Sequence, residues 1–150
     1  MIWFNYYGLI FMAIIMLPNI VYAVKHKNDV VYSFSNKAAE VLEQISRYAC
    51  IIFMIFNVPY TWKGFYFPYA KVLYIIVNTI LIVAYCLAWI ITWNKSGIGK
   101  ALVLSIIPSI VFLFSGVIIA SIPLLVFAVI FSITHVLISF MNAKILGENN

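Results

Sequence analysis

The sequence predicts an all-α integral membrane protein, a single bundle of five transmembrane helices with the N-terminus outside and the C-terminus cytoplasmic. Three observations predict it. The 150 residues are 66% hydrophobic and only 9% charged, with a mean hydropathy of +1.11. A soluble domain carries about 25% charged residues, so this inventory cannot build a water-facing surface. The charges sit in short breaks between long uncharged runs. Lys and Arg are shared unequally among those breaks, which sets orientation in a membrane.

The first helix is expected over about 3–24, where Trp3 to Val24 would reach about 33 Å at ~1.5 Å per residue. Its start lacks a basic segment and a small-x-small cleavage site, so it reads as a retained span and not a removed signal peptide. The second, about 40–62, poses a length problem. The uncharged run Tyr48 to Trp62 covers only about 22 Å, against a hydrocarbon core about 30 Å thick. Either the helix draws Glu43 and Arg47 into the membrane or it extends outward past Lys63. Pro59 and Gly64-x-x-x-Pro68 disfavour extension, which favours drawing the pair inward.

The third helix follows at about 71–94, on the uncharged stretch Val72 to Asn94. Ala101 to Ala143 has no charge and would measure about 64 Å as one helix. No bilayer needs that length, so a hairpin is predicted with its turn at Ala120-Ser121-Ile122-Pro123. The last two helices are then about 100–119 and 122–143.

With five spans, Lys25, Lys27, Lys37, Arg47, Lys95, Lys100 and Lys144 fall on one side and Lys63 and Lys71 on the other. The richer side is cytoplasmic by the positive-inside rule. The outer loop Tyr60-Thr61-Trp62-Lys63-Gly64-Phe65-Tyr66-Phe67-Pro68-Tyr69 reads as an interfacial aromatic belt, or else as a lid over a ligand. Trp89 and Trp93 are the matching anchors on the other face. His26, between Lys25 and Lys27, is expected to meet anionic headgroups.

The formal charge of +5 does not point to nucleic acid, because the cations are scattered singly at the edges of apolar runs. Cys50 and Cys86 fall inside spans without a partner motif and read as small hydrophobes. Neither a metal site nor a cofactor is expected, and no residue is assigned a catalytic role. One domain covers the chain, 1–150.

The chemistry-bearing residues gather at similar depth. Helix direction and ~1.5 Å of rise per residue place Asn19, Glu43, Arg47, Tyr85, Ser105, Ser109, His135 and Ser139 in the inner half of the bundle. Pro18 and Pro108 add carbonyls freed one turn earlier, at Ile14 and Leu104, which in lipid need partners or a wet cavity. The layer reads either as a ligand cavity or as interhelical hydrogen-bond glue. On the cavity reading the ligand-binding candidates are Glu43, Arg47, His135, Asn19, Tyr85 and Ser109, with Arg47 contacting an anion and Glu43 orienting it. Asn57 and Asn78 are expected to bond between helices two and three.

The expected function is binding of a small-molecule or lipid-like ligand, with transport or sensing as its extensions, by a multi-pass protein of the cell membrane. The alternative is an accessory, regulatory or immunity-type subunit acting through helix contacts with a membrane partner or a second copy of itself. An intramembrane enzyme using Glu43 and His135 ranks third, since no nucleophile is paired with a base in the sequence.

Overall fold

A computed structural model describes residues 3–25, 36–95 and 97–148, with side chains to residue 145; His26 and Lys27 lie outside the described residues. The fold is all-helical, in the order α1 (Tyr6–Lys25), α2 (Lys37–Ile55), α3 (Ala70–Thr92), α4 (Ile98–Ile118) and α5 (Ile122–Glu148), and no strand forms among the described residues. Four of these, α1, α3, α4 and α5, are long and apolar enough to cross a membrane. The remaining helix, α2, carries Lys37, Glu40, Glu43 and Arg47 in its first three turns and does not meet that standard by composition.

α2 stops earlier than expected. The helix was expected to reach Trp62 but ends at Ile55, with Phe56 already extended. Pro59 has no N–H to give the Ile55 carbonyl, and a residue from far away in the chain takes up the carbonyls left over. Asn5 uses its backbone N–H to bond the Ile55 carbonyl at 2.7 Å, and its Nδ2 to bond the Met54 carbonyl at 3.1 Å. Those are two of the carbonyls a helix C-terminus leaves without partners. Asn57 N–H then returns a bond to the Trp3 carbonyl at 2.8 Å, pairing the two short extended segments antiparallel around Phe4 and Phe56. Asn5 also caps α1, because its Oδ1 accepts from Gly8 N–H at 3.2 Å. Gly8 is required here: a Cβ would stand 2.1 Å from the Met54 carbonyl oxygen.

The remaining helices pack around α4. It lies between α3 and α5 and is the most buried of the spans. α2 packs on α5, while α1 packs mainly on α2 and α3. The α4–α5 turn falls where the sequence put it. Ser121 N–H bonds the Gly116 carbonyl and Ala120 N–H bonds the Val117 carbonyl, at 3.0 and 3.1 Å, closing the helix with Ala120 at a φ of 47°. Gly116 lets the returning helix approach, since a Cβ there would meet Leu125 backbone atoms at 3.2 Å.

The aromatic loop is tied to this turn. Lys63 and Gly64 N–H groups bond the Ala120 and Ile119 carbonyls, and Ile122 N–H bonds the Thr61 carbonyl. Non-helical backbone thus finds partners on both sides of the aromatic end, as an apolar surrounding requires. The asparagines differ from expectation. Asn78 bonds Ser115 of α4 at 3.2 Å, because α3 packs on α4 and has no comparable contact with α2. Asn57 lies beyond the end of α2 and uses its backbone to reach Trp3.

Candidate functional site

The polar face of α2 looks into the bundle. Glu43, Ser46 and Cys50 are buried, while Val41, Leu42, Ile45, Tyr48 and Ile52 are exposed. This is the reverse of a helix lying on a soluble protein, whose apolar stripe faces the core. The helix starts cleanly, with Asn36 Oδ1 accepting from Ala39 N–H at 3.3 Å.

At the centre of that face Glu43 Oε1 accepts three hydrogen bonds. Arg47 donates from Nε at 3.1 Å and from Nη2, and His135 of α5 donates from Nδ1 at 2.9 Å. The Glu43 side chain is only 6% exposed, whereas Arg47 retains 36%. A buried carboxylate needs this degree of pairing. Phe131, one turn before His135, stacks on the imidazole with centroids 4.6 Å apart and planes 18° from parallel. With Nδ1 given to the carboxylate and one ring face covered, Nε2 is the nitrogen left for other partners.

Beside this group lies a cavity of about 400 Å³. All five helices reach it. Asn19 and Tyr22 come from α1, Arg47 from α2, Tyr85 from α3, Ser105 and Pro108 from α4, and His135, Ser139 and Asn142 from α5. Apolar wall is supplied by Met12, Ile15, Met16, Ile51, Leu104 and Phe112. Tyr85 donates its hydroxyl to Asn19 Oδ1 at 3.1 Å, and Asn19 Nδ2 bonds the Ile15 carbonyl at 3.1 Å. The inner polar layer therefore contains both hydrogen-bonded pairs and open space.

The predicted residues divide. Arg47, His135, Asn19 and Tyr85 line the cavity. Glu43 sits behind Arg47 and His135 and does not face it, and the Ser109 hydroxyl bonds the Ser105 carbonyl at 2.8 Å instead. Ser105, one turn earlier, takes that place on the wall. Pro108 and Leu104, whose carbonyl loses its helical donor, are both at the cavity. The equivalent carbonyl under Pro18 belongs to Ile14, which is exposed and not part of the wall.

Two lysines were not among the candidates and stand on the wall, Lys95 and Lys100. Both lie at the α3–α4 turn, where Gly97 with φ 134° reverses the chain. Lys100 folds back over α3: its Nζ lies 4.7 Å from the Tyr22 ring centroid and 5.4 Å from that of Trp89, and bonds the Trp93 carbonyl at 3.3 Å. Tyr22, Trp89 and Trp93 form one cluster with centroids 5.1 to 6.0 Å apart. The aromatic residues at this end thus hold lysines, including Lys25, whose Nζ is 5.4 Å from the Trp93 ring. The signal that could have found Lys100 was its spacing from Trp93 across a glycine turn.

Comparison with protein-family models, with curated proteins and with solved structures finds no match.

Proposed function

We propose that this is a multi-pass cell-membrane protein that binds a small-molecule or lipid-like ligand in the cavity at its lysine-rich end. The observation that carries the reading is that one cavity joins cationic, neutral polar and apolar walls drawn from all five helices. Cavities of ~300–1,000 Å³ with a few convergent polar groups are the usual form of a small-molecule site.

On this reading α2 is a fifth span. From Val41 onward its exposed residues are apolar except Gln44, while Glu43 is turned inward, an arrangement suited to lipid outside. Its 19 residues measure about 28 Å, close to the hydrocarbon thickness. The N-terminus is then external and the lysine-rich end cytoplasmic, with the cavity in the inner leaflet, following the excess of Lys and Arg there.

The test is native mass spectrometry of protein purified in mild detergent. A bound species is expected on the wild type and is lost both in Arg47→Ala and in Lys100→Gln, the second of which leaves the pairing of Glu43 intact. Retention of the same species by both variants would remove the reading.

A further inference from the structure

Resting on that reading, we infer that the group bound in the cavity is a phosphomonoester, carried either by a membrane lipid or by a soluble ester. The wall holds three cations, Arg47, Lys95 and Lys100, and no carboxylate faces it among the described residues. The one acidic side chain nearby, Glu43, is turned away and occupied by Arg47 and His135. Anions are therefore favoured and cations excluded.

The cations remain available. Glu43 engages Arg47 through Nε and Nη2, so the Nη1 edge of the guanidinium is open to a second oxyanion. Lys100 is held by two ring faces and a carbonyl, which position its ammonium without cancelling its charge.

The number of cations narrows the class further. Arg47, Lys95 and Lys100 share one wall, and His135, whose Nδ1 is directed to Glu43, lines it too and has Nε2 left for a ligand. Such a site suits an anion with more than one charge and several oxygens to share. A phosphomonoester, whose second pKa is about 6, is mostly a dianion at neutral pH. A carboxylate, a sulfate monoester or a phosphodiester at the same pH carries a single negative charge. The apolar wall from Met12, Ile15 and Met16 on α1 to Leu104 and Phe112 on α4 accommodates the carbon chain of the ester.

The experiment compares short-chain phosphatidic acid, phosphatidylglycerol and phosphatidylcholine with identical tails, and inorganic phosphate, titrated into purified protein with tryptophan fluorescence as the readout. Phosphatidic acid is expected to bind at least tenfold more tightly than phosphatidylglycerol. Lys100→Gln removes one charge from the wall and should narrow that preference. Lys95→Gln, at an exposed residue of the same wall, is read in parallel and should narrow it too. Inorganic phosphate competing at the same concentration as phosphatidic acid would assign the ester to the aqueous phase, and failure to compete would assign it to the lipid; either supports the phosphomonoester. Equal binding of phosphatidic acid and phosphatidylglycerol, or unchanged binding in Lys100→Gln, overturns the inference and leaves the cavity reading standing. If no probe binds and the bound species survives both Arg47→Ala and Lys100→Gln, both fall.

Discussion

His135 Nδ1 of α5 lies 2.9 Å from Glu43 Oε1 of α2, and this contact joins two helices that pack along each other. The carboxylate is buried, so each donor that meets it matters to stability as well as to the site. Replacing the carboxylate by an amide keeps the shape and removes the charge. Glu43→Gln is expected to lower stability by about 1–3 kcal/mol, the low end reflecting the half-exposed Arg47 guanidinium that can turn to water. Thermal unfolding in detergent measures this. A cycle with His135→Ala should show clear coupling, and strictly additive losses would mean the 2.9 Å contact contributes nothing.

Asn5 serves three helices at once, and its removal should register as more than one lost cap. Asn5→Ala removes the acceptor for Gly8 N–H and leaves the Met54 carbonyl and the buried Tyr74 hydroxyl of α3 without their side-chain donor. A loss of about 2–3 kcal/mol is expected from the three effects together. Asn5→Asp keeps the cap acceptor but sets a carboxylate against the Met54 carbonyl, so it should fare no better. Full stability in Asn5→Asp would assign the whole effect to the α1 cap.

A methyl group tests the α1–α2 approach. Gly8→Ala places a carbon 2.1 Å from the Met54 carbonyl oxygen, a backbone atom that cannot swing aside. The helices must separate, at a cost of about 1–3 kcal/mol. An unfolding midpoint equal to that of the wild type would show that α1 and α2 lie farther apart.

The opposite sign is expected at the α4–α5 turn. Ala120 holds a φ of 47°, a left-handed conformation that costs an L-residue about 1–2 kcal/mol and glycine almost nothing. Ala120→Gly should therefore be neutral or raise the unfolding midpoint, whereas Ala120→Val should lower it. A destabilised glycine variant would contradict the turn geometry.

How much of this was legible in the sequence depends on which residues are considered. The need for a hairpin followed from run length, because no bilayer accommodates a helix as long as Ala101 to Ala143, and Gly116 and Pro123 placed its turn at Ala120. The inward placement of Glu43 and Arg47 followed from the short run after them. The end of α2 was overestimated although Pro59, four residues past Ile55, marks it; what spacing did not carry is that Asn5 takes up the carbonyls left there. Nor was the choice of Ser105 over Ser109, because depth along a helix can be counted but its rotation is fixed by packing. Lys100 was read as an orientation charge. Its return to the cavity depends on the glycine turn and on ring faces from two other helices.

The backbone bonds outside the helices are gathered at the aromatic end, where Trp3 to Asn5 pair with Ile55 to Asn57 and Thr61 to Gly64 pair with Ile119 to Ile122. The cavity is at the other end, where α1 has no such ties to α4 or α5 among the described residues. At the cavity end the ties of α1 are side-chain contacts, the Tyr85 hydroxyl on Asn19 and the Lys100 ammonium on the Tyr22 ring. The molecule is stitched by backbone at one extremity and buttoned by side chains at the other, so a parting of α1 from α4 would cost the 4.7 Å ring contact and leave the backbone bonds intact.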